Sequence, residues 1–440
     1  MPQKNRTAWA WVPSLYFFEG LPYFIVNTIS VIILKRLGLG NGDVAMYTGL
    51  LYLPWVIKPL WSPFVDVLKT KRWWIMTTET IMCLCIWWCS YEIHADVLSK
   101  GVHFYLLLGF FWVTAFASAT HDIAADGFYM LALDEHRATQ FVGIRNTFYR
   151  IASVFGQGVL VMLAGMLELR YGDVPRAWRM VMTFSAVFLF VITVWHNWGA
   201  LPYPDEDRPS GDGGKLSGDS RRPTVKEVAR KLSDSFVTFF HKDGIVIAML
   251  FMLLYRLPEA FVVKMMNPFF LDPVSVGGLG LTTEDVGLVY GTFGAVALIA
   301  GGILGGLVAG KWGLKKCLWS MALSLTLPCV VFLLMALFQP SNLWLIGAGV
   351  CLDQFGYGFG FTAYTLYLMY FSRGEYKTSH YSICTAFMAL SMMIPGMVAG
   401  YVQEAVGYPM FFIIVILCFV ATFAVVASVK VDSDYGKKVD

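Results

Sequence analysis

At 440 residues, of which 57% are apolar and 16% aromatic while only 14% carry charge, the chain has too few polar groups to cover a water-soluble protein of its size. The composition is that of an all-α, polytopic membrane protein and excludes a soluble enzyme or binding domain. The formal net charge is only +3, and no nucleic-acid partner is expected.

With about 20 residues needed to cross a bilayer, apolar runs fall at 9–34, 44–65, 73–95, 104–133, 138–167, 177–199, 244–266, 286–309, 317–338, 343–371, 378–403 and 408–429. That makes twelve predicted spans. The first run has neither the short apolar core nor the small-residue site of a cleaved leader, so it is expected to persist as the first helix. The eight cysteines, at 83, 85, 89, 317, 329, 351, 384 and 418, lie within these runs or at their ends. They read as apolar filler, not as a disulfide framework.

Charges inside the runs mark candidate sites, because an acid at the bilayer centre costs roughly 2.5–3.5 kcal/mol and must face protein or water. Glu19 lies halfway along the first span, and Lys58 stands between Pro54 and Pro59 in the second. The fourth contains Ser118-Ala-Thr-His-Asp-Ile-Ala-Ala-Asp126, which brings in His121, Asp122 and Asp126. Asp122 and Asp126 are four residues apart and share one helix face. The fifth span adds Arg145, Tyr149 and Arg150.

The interval 200–242 interrupts the pattern with Asp205-Glu-Asp-Arg208, a Gly/Ser-rich stretch, Arg221-Arg222 and a basic segment to Lys242. It separates two six-span halves, 1–199 and 243–440. Its end, Val225 to Phe240, is expected to form an amphipathic helix on the membrane surface. In the second half Arg256, Glu259 and Lys264 fall in the seventh span, and Asp353, Gln354 and Tyr357 in the tenth. The run Gly356-Tyr-Gly358-Phe-Gly360-Phe reads either as rings for stacking on a sugar face or as ordinary packing. Gly301-Gly302 and Gly305-Gly306 read as close helix packing.

Lys and Arg set the orientation. Twenty-two of the thirty-three lie at the termini or in the intervals 66–72, 134–137, 200–242, 310–316 and 372–377. The opposite loops hold six, and 267–284, 339–342 and 404–407 hold none. The positive-inside rule therefore places both termini and the linker in the cytoplasm.

One motif recurs after the second span of each half: Pro63-Phe-Val-Asp66-Val-Leu-Lys-Thr-Lys71-Arg72, answered by Gly306-Leu-Val-Ala-Gly310-Lys311-Trp-Gly313-Leu-Lys315-Lys316. Both copies resemble the cytoplasmic loop of the major facilitator superfamily. The resemblance implies two six-helix bundles that rock around a midplane site lined by the first, fourth, seventh and tenth spans. Asp66, Lys71, Arg72, Lys311, Lys315 and Lys316 are then gate candidates, an acid pairing with basic residues in a latch that opens and closes. Anchoring to anionic lipid is the other reading of the basic runs.

Chemically the buried charges divide by sign. Arg145, Arg150, Arg256 and Lys264 suit an anionic substrate, since Arg offers a permanent fork for carboxylate or phosphate. Asp122, Asp126, Glu259, Glu19 and His121 are candidates for the coupling proton, because burial and a moving Arg bias a carboxylate's protonation in opposite directions. Arg145 has a second reading, as the permanent ion-pair partner of Asp126. No metal or organic cofactor is expected, only the proton as coupling ion.

A narrower resemblance follows from Phe18-Glu-Gly20-Leu-Pro22, Lys58-Pro-Leu-Trp-Ser-Pro63, Ser118-x-x-His-Asp122-Ile-x-x-Asp126, Tyr149-Arg150 and Leu254-Tyr-Arg256-x-x-Glu259-Ala. These motifs, in order from about residue 15 to 410, resemble the AmpG-type muropeptide permeases. The resemblance implies a monomeric carrier in the bacterial inner membrane. It would import N-acetylglucosaminyl-1,6-anhydro-N-acetylmuramyl peptides with protons for cell-wall recycling. Asp122 and Glu259 would stand at the family's fourth- and seventh-span acids, and Arg150 and Arg256 would be candidates for binding the lactyl or peptide carboxylates. The pattern usually has Gln at His121 and commonly Asp at Glu259, and some members continue with two further spans. A carrier of another anion such as acetyl-CoA and a transporter-like sensor remain alternatives. An intramembrane enzyme does not fit, since no nucleophile turn, metal-spaced His pair or phosphate loop is present.

Overall fold

The computed structural model describes residues 8–94, 99–133, 135–202, 225–374, 376–432 and 435–436, and among these no strand occurs. Apolar runs become helices because only a helix or a closed barrel satisfies every backbone N–H and C=O within hydrocarbon. Ala8–Arg36, Val102–Ala132, Gly143–Tyr171, Val174–Ala200, Ile245–Leu271, Thr283–Trp312, Leu314–Phe338 and Lys377–Ser428 are long and apolar enough to cross a membrane. The last is two helices parted at Gly407, whose φ of 77° breaks the helix before the twelfth span. More polar helices supply the remainder: Asn41–Leu50 with Leu53–Leu68 as the second span, Lys71–Glu92 as the third and Leu343–Phe371 as the tenth. The fifth begins earlier than its apolar run, at Glu135.

Local signals set several helix starts. Thr70, Asp173 and Asn342 cap the third, sixth and tenth spans by accepting hydrogen bonds from backbone N–H groups in the first turn. Widened π-type turns interrupt the first span at Ile25–Ile29, the fifth at Phe155–Leu160 and the eighth at Gly287–Gly294. Such turns are frequent at functional sites.

The amphipathic linker helix, Val225–Phe240, forms where the sequence places it but packs on protein. Part of its apolar stripe meets rings of the protein: Phe239 is fully buried, with Phe371, His380 and Phe387 at centroid distances of 5.7, 5.5 and 6.3 Å, while Val237 and Phe240 stay exposed. It touches both the Leu53–Leu68 helix of the first half and the Lys377–Leu417 helix of the second.

Apolar packing divides the molecule unevenly. On the side away from the linker, one continuous core joins the halves, from Phe18 and Leu21 through Phe269 and Tyr408 to Phe419. On the linker side it splits. One cluster, around Trp11, Phe128 and Tyr129, joins the first half to Ala200 and Leu201 at the start of the linker, and another, around Phe251, Tyr255 and Tyr364, joins the second half to Phe239 of the linker helix. The halves therefore meet at one end and part at the other.

Candidate functional site

Between the parted halves lies a cavity of about 1860 Å³. Glu19, Tyr23, Lys58, Asp122, Asp126, Arg145, Tyr149 and Arg150 line it from the first half, and Arg256, Tyr290, Gln354, Tyr357, Phe361 and Thr362 from the second. At the linker side it reaches Lys71, Lys231 and Tyr376.

The first-half wall gathers three carboxylates. Oxygens of Glu19, Asp122 and Asp126 lie within 4.8 Å of one another. Their spacing on the fourth span turns Asp122 and Asp126 to the same side, and each meets a base from a different neighbour. Lys58 of the second span pairs with Asp122. Arg145 of the fifth donates to Asp126 at 2.9 Å, while Tyr16 donates to the same oxygen at 3.2 Å. The Arg145 guanidinium also lies over the Tyr16 and Tyr129 rings, 4.6 and 5.6 Å from their centroids. Glu19 keeps one carboxylate oxygen without a hydrogen-bond partner.

Arg150 differs from the other bases of the wall. It lines the cavity, and its guanidinium makes no hydrogen bond or ion pair among the described residues. Opposite, Arg256 donates to Glu259 at 3.0 Å and to the Tyr357 hydroxyl at 2.8 Å, with Phe361 at 4.7 Å beneath its plane. Tyr357 and Phe361 thus serve as a platform for a guanidinium and present their rings to the cavity.

Four expected site residues sit behind this surface. Asp353 is buried and accepts from Gln354 at 3.0 Å, and Gln354 faces the cavity in its place. Glu259 is buried beneath Arg256. Lys264 opens onto a separate small chamber. His121 turns away from Asp122 into the first-half core, fully buried, 3.4 Å from Glu79. That Glu79 oxygen also lies 2.7 Å from His196, whose other ring nitrogen is 2.9 Å from Ser14. The sequence reading passed over Glu79 and His196, although a carboxylate and an imidazole within apolar runs are the same signal that singled out Asp122.

Gate candidates are unequally placed. Lys71 lines the cavity mouth and Arg72 is buried with a nitrogen 3.5 Å from the Leu201 carbonyl, whereas the Asp66 side chain lies outside the described residues. Lys311, Lys315 and Lys316 are exposed and join no ion pair among the described residues. Gly310 stands where the first-half motif has its acid, so the second copy of the motif offers these lysines no acid of its own.

The opposite end is sealed by polar contacts across the halves. Lys35 pairs with Asp272 at 2.5 Å, and the Asn41 amide nitrogen, with two N–H groups to donate, lies 2.9, 2.6 and 3.0 Å from Asp272, Gln403 and the Tyr408 hydroxyl. Arg36 and Thr283 converge on Glu168 at 2.8 and 2.7 Å, and Trp178 holds its other oxygen at 2.8 Å. Backbones touch where the fifth and eighth spans cross: a Cβ on Gly291 would stand 1.9 Å from the Gln157 carbonyl oxygen.

Comparisons with known proteins agree with this architecture. The Major Facilitator Superfamily family matches over residues 14–394. A protein of Escherichia coli K12 named anhydromuropeptide permease is 22% identical over 91% of this chain and 75% of its own length. One of Rickettsia typhi named putative transporter AmpG 3 is 23% identical over 84% of each chain. Among solved structures, a D-xylose-proton symporter superposes with a TM-score of 0.71 at 11% identity, covering 98% of this chain and 99% of its own. That likeness concerns the fold alone.

Proposed function

From the premise that this chain belongs to the major facilitator superfamily and is a multi-pass membrane transporter, we propose a proton-coupled carrier that imports anhydro-muropeptides across the bacterial inner membrane by alternating access. The linker side is then cytoplasmic, as the distribution of Lys and Arg requires, and the structure corresponds to the inward-facing state.

The observation that carries this reading is the charge pattern of the cavity. Lys58, Arg145 and Arg256 each have a carboxylate partner, whereas Arg150 has an open fork among the described residues; the other described bases of the lining, Lys71 and Lys231, stand at its linker end. One free guanidinium suits a lactyl or peptide carboxylate. The several phosphates of acetyl-CoA would call for more unpaired bases. A cavity of about 1860 Å³ exceeds the roughly 300–1,000 Å³ of ordinary small-ligand pockets and admits a disaccharide with a peptide. Tyr23, Tyr149, Tyr290, Tyr357 and Phe361 supply ring faces for the sugars. The likeness to relatives bearing the permease's name supports the same substrate class.

Coupling is assigned to the trio of Glu19, Asp122 and Asp126, which has three carboxylates to two bases and lies on the cavity wall. Counterflow in proteoliposomes with anhydro-muropeptide, free anhydro-disaccharide and acetyl-CoA in parallel tests the proposal. The first should exchange, the second more weakly. Exchange of acetyl-CoA alone would refute the substrate, and absence of exchange with all three would leave a sensor in place of a carrier.

A further inference from the structure

Lys264 faces a chamber of about 30 Å³ formed by both halves, with Asn27, Thr28 and Tyr52 on one side and Lys264, Asn267 and Tyr290 on the other. Its ammonium nitrogen is buried without a hydrogen-bond partner, and so are the side-chain oxygens of Asn27 and Asn267. The Asn27 amide nitrogen donates to the Tyr23 carbonyl at 3.1 Å, which fixes its oxygen as the group left over. A chamber of this size holds about one water. A water there has the right polarity for all three orphans, a lone pair for Lys264 and two O–H donors for the amide oxygens. A halide accepts only, and would face two oxygens.

Thr28, Tyr52 and Tyr290 line this chamber and the central cavity alike. They form a septum between the two. Each hydroxyl can both donate and accept, the property that a proton path needs. Beyond the chamber, on the same first and seventh spans, stands the seal of Lys35 with Asp272.

The titratable and charged groups around Lys264 are few. Tyr52 lies across from it, with its ring centroid 5.9 Å from the ammonium nitrogen, and Tyr290 completes the wall. On its own span Arg256 and Glu259 engage each other, and Asp272 is taken by Lys35. The eleventh span contributes Gly396, where an added Cβ would lie 3.8 Å from the Lys264 stem, and no charge. No carboxylate of the described residues lines the chamber.

We propose that Lys264 is a proton-carrying site of the transport cycle, loaded from the far side when the halves part there and discharged through the chamber water and the hydroxyl septum into the central cavity. This rests on the reading of the protein as a proton-coupled carrier. An ammonium shut away from carboxylates is costly, and the same ammonium in a wetted chamber is not. In discharge an N–H bond breaks, its electron pair stays on nitrogen, the water oxygen takes the proton, and the free amine remains. No other co-reactant is needed.

The test uses the full-length protein in proteoliposomes with labelled anhydro-muropeptide, comparing accumulation driven by a pH gradient with counterflow at equal pH. Lys264→Met should lose gradient-driven accumulation and keep counterflow. Lys264→Arg, which keeps the charge but does not release a proton, should lose it too. An anion-binding role for Lys264 predicts the reverse for Arg, with accumulation preserved. Accumulation retained in either variant overturns the proposal. Asn27→Leu removes the water's acceptor with Lys264 in place, and should slow accumulation alone even if both lysine variants misfold. An unchanged rate there also overturns it. A wild-type protein that exchanges but ignores the gradient refutes proton coupling altogether, and is distinguishable from the loss seen only in the variants.

Discussion

Gly291→Ala should move the conformational equilibrium away from the state seen here. In that state a Cβ at 291 would lie 1.9 Å from the Gln157 carbonyl oxygen and 2.4 Å from the Gly158 backbone nitrogen. Both obstacles are backbone, so the fifth and eighth spans must separate by an ångström or more. Overpacking of a well-packed contact costs about 1–3 kcal/mol. Because the contact exists only while the far side is closed, that cost falls on one state, and a bias of about 1–3 kcal/mol changes a two-state ratio about 5- to 150-fold. The gain in helix propensity from Gly to Ala, about 1 kcal/mol, applies to both states and cancels. A thiol reporter at Thr362, which lines the cavity, reads the outcome in a background without the eight native cysteines. The ratio of its labelling from the linker side to its labelling from the far side should fall by that factor. Gly306→Ala on the same helix, where an added Cβ meets nothing within 4 Å, should change nothing. Equal labelling in the Gly291 and Gly306 variants would refute the idea that this crossing closes the far side.

Three further outcomes follow from the charges. Asp122→Asn removes the partner of Lys58 and should abolish pH-gradient-driven uptake while exchange persists; unchanged gradient-driven uptake excludes Asp122 from coupling. Arg150→Lys keeps a charge and loses the fork, so binding of the intact fragment should weaken by about 1.5–3 kcal/mol, tenfold or more by isothermal titration, with expression unaffected. Asp272→Asn strips the nearly buried seal of the partner of Lys35; breaking a buried pair costs about 3–5 kcal/mol, part of which the retained amide oxygen offsets, and the shift toward far-side opening should be several-fold or more by the same thiol assay.

The helices and their number were legible because hydrocarbon admits little else, and because an acid in an apolar run has to face protein or water. Asp126 with Arg145 was legible as a pair from adjacent spans. The partner of Asp122 was not, since Lys58 comes from a span 64 residues away and no local pattern links them. The outer seal lay wholly outside the reading: Lys35, Asn41, Glu168, Asp272 and Gln403 lie at helix ends, where polar residues are ordinary and only the meeting of the two halves gives them partners. His121 was misdirected for a related reason. Its neighbour Asp122 faces the cavity, but one residue along a helix turns a side chain by about 100°, and that turn carries the imidazole to Glu79 in the core.

The acid trio constrains how coupling can work. Glu19, Asp122 and Asp126 and their bases Lys58 and Arg145 all belong to the first half, so a rigid rocking of the halves leaves every one of those pairs intact. On the proposed reading three carboxylates with two bases hold one proton in common, and its apparent affinity belongs to the set rather than to one residue. A change in that affinity must therefore reach the trio from outside the half. Apart from a proton delivered by Lys264, two routes lie in this cavity. One is the substrate itself, drawn to Arg150 on the same cavity wall, and the other is the second-half wall around Arg256 and Tyr357, which approaches or recedes as the halves rock. The two routes differ in what they predict for empty protein. If the wall does the switching, pH should shift the Thr362 labelling without substrate, and Tyr357→Phe, which removes the hydroxyl that holds Arg256, should reduce that shift. If the substrate does it, the pH effect should appear only when anhydro-muropeptide is present, and Arg150→Lys should remove it. A pH-independent distribution of states with and without substrate would sink both routes, and with them the assignment of the proton to the trio.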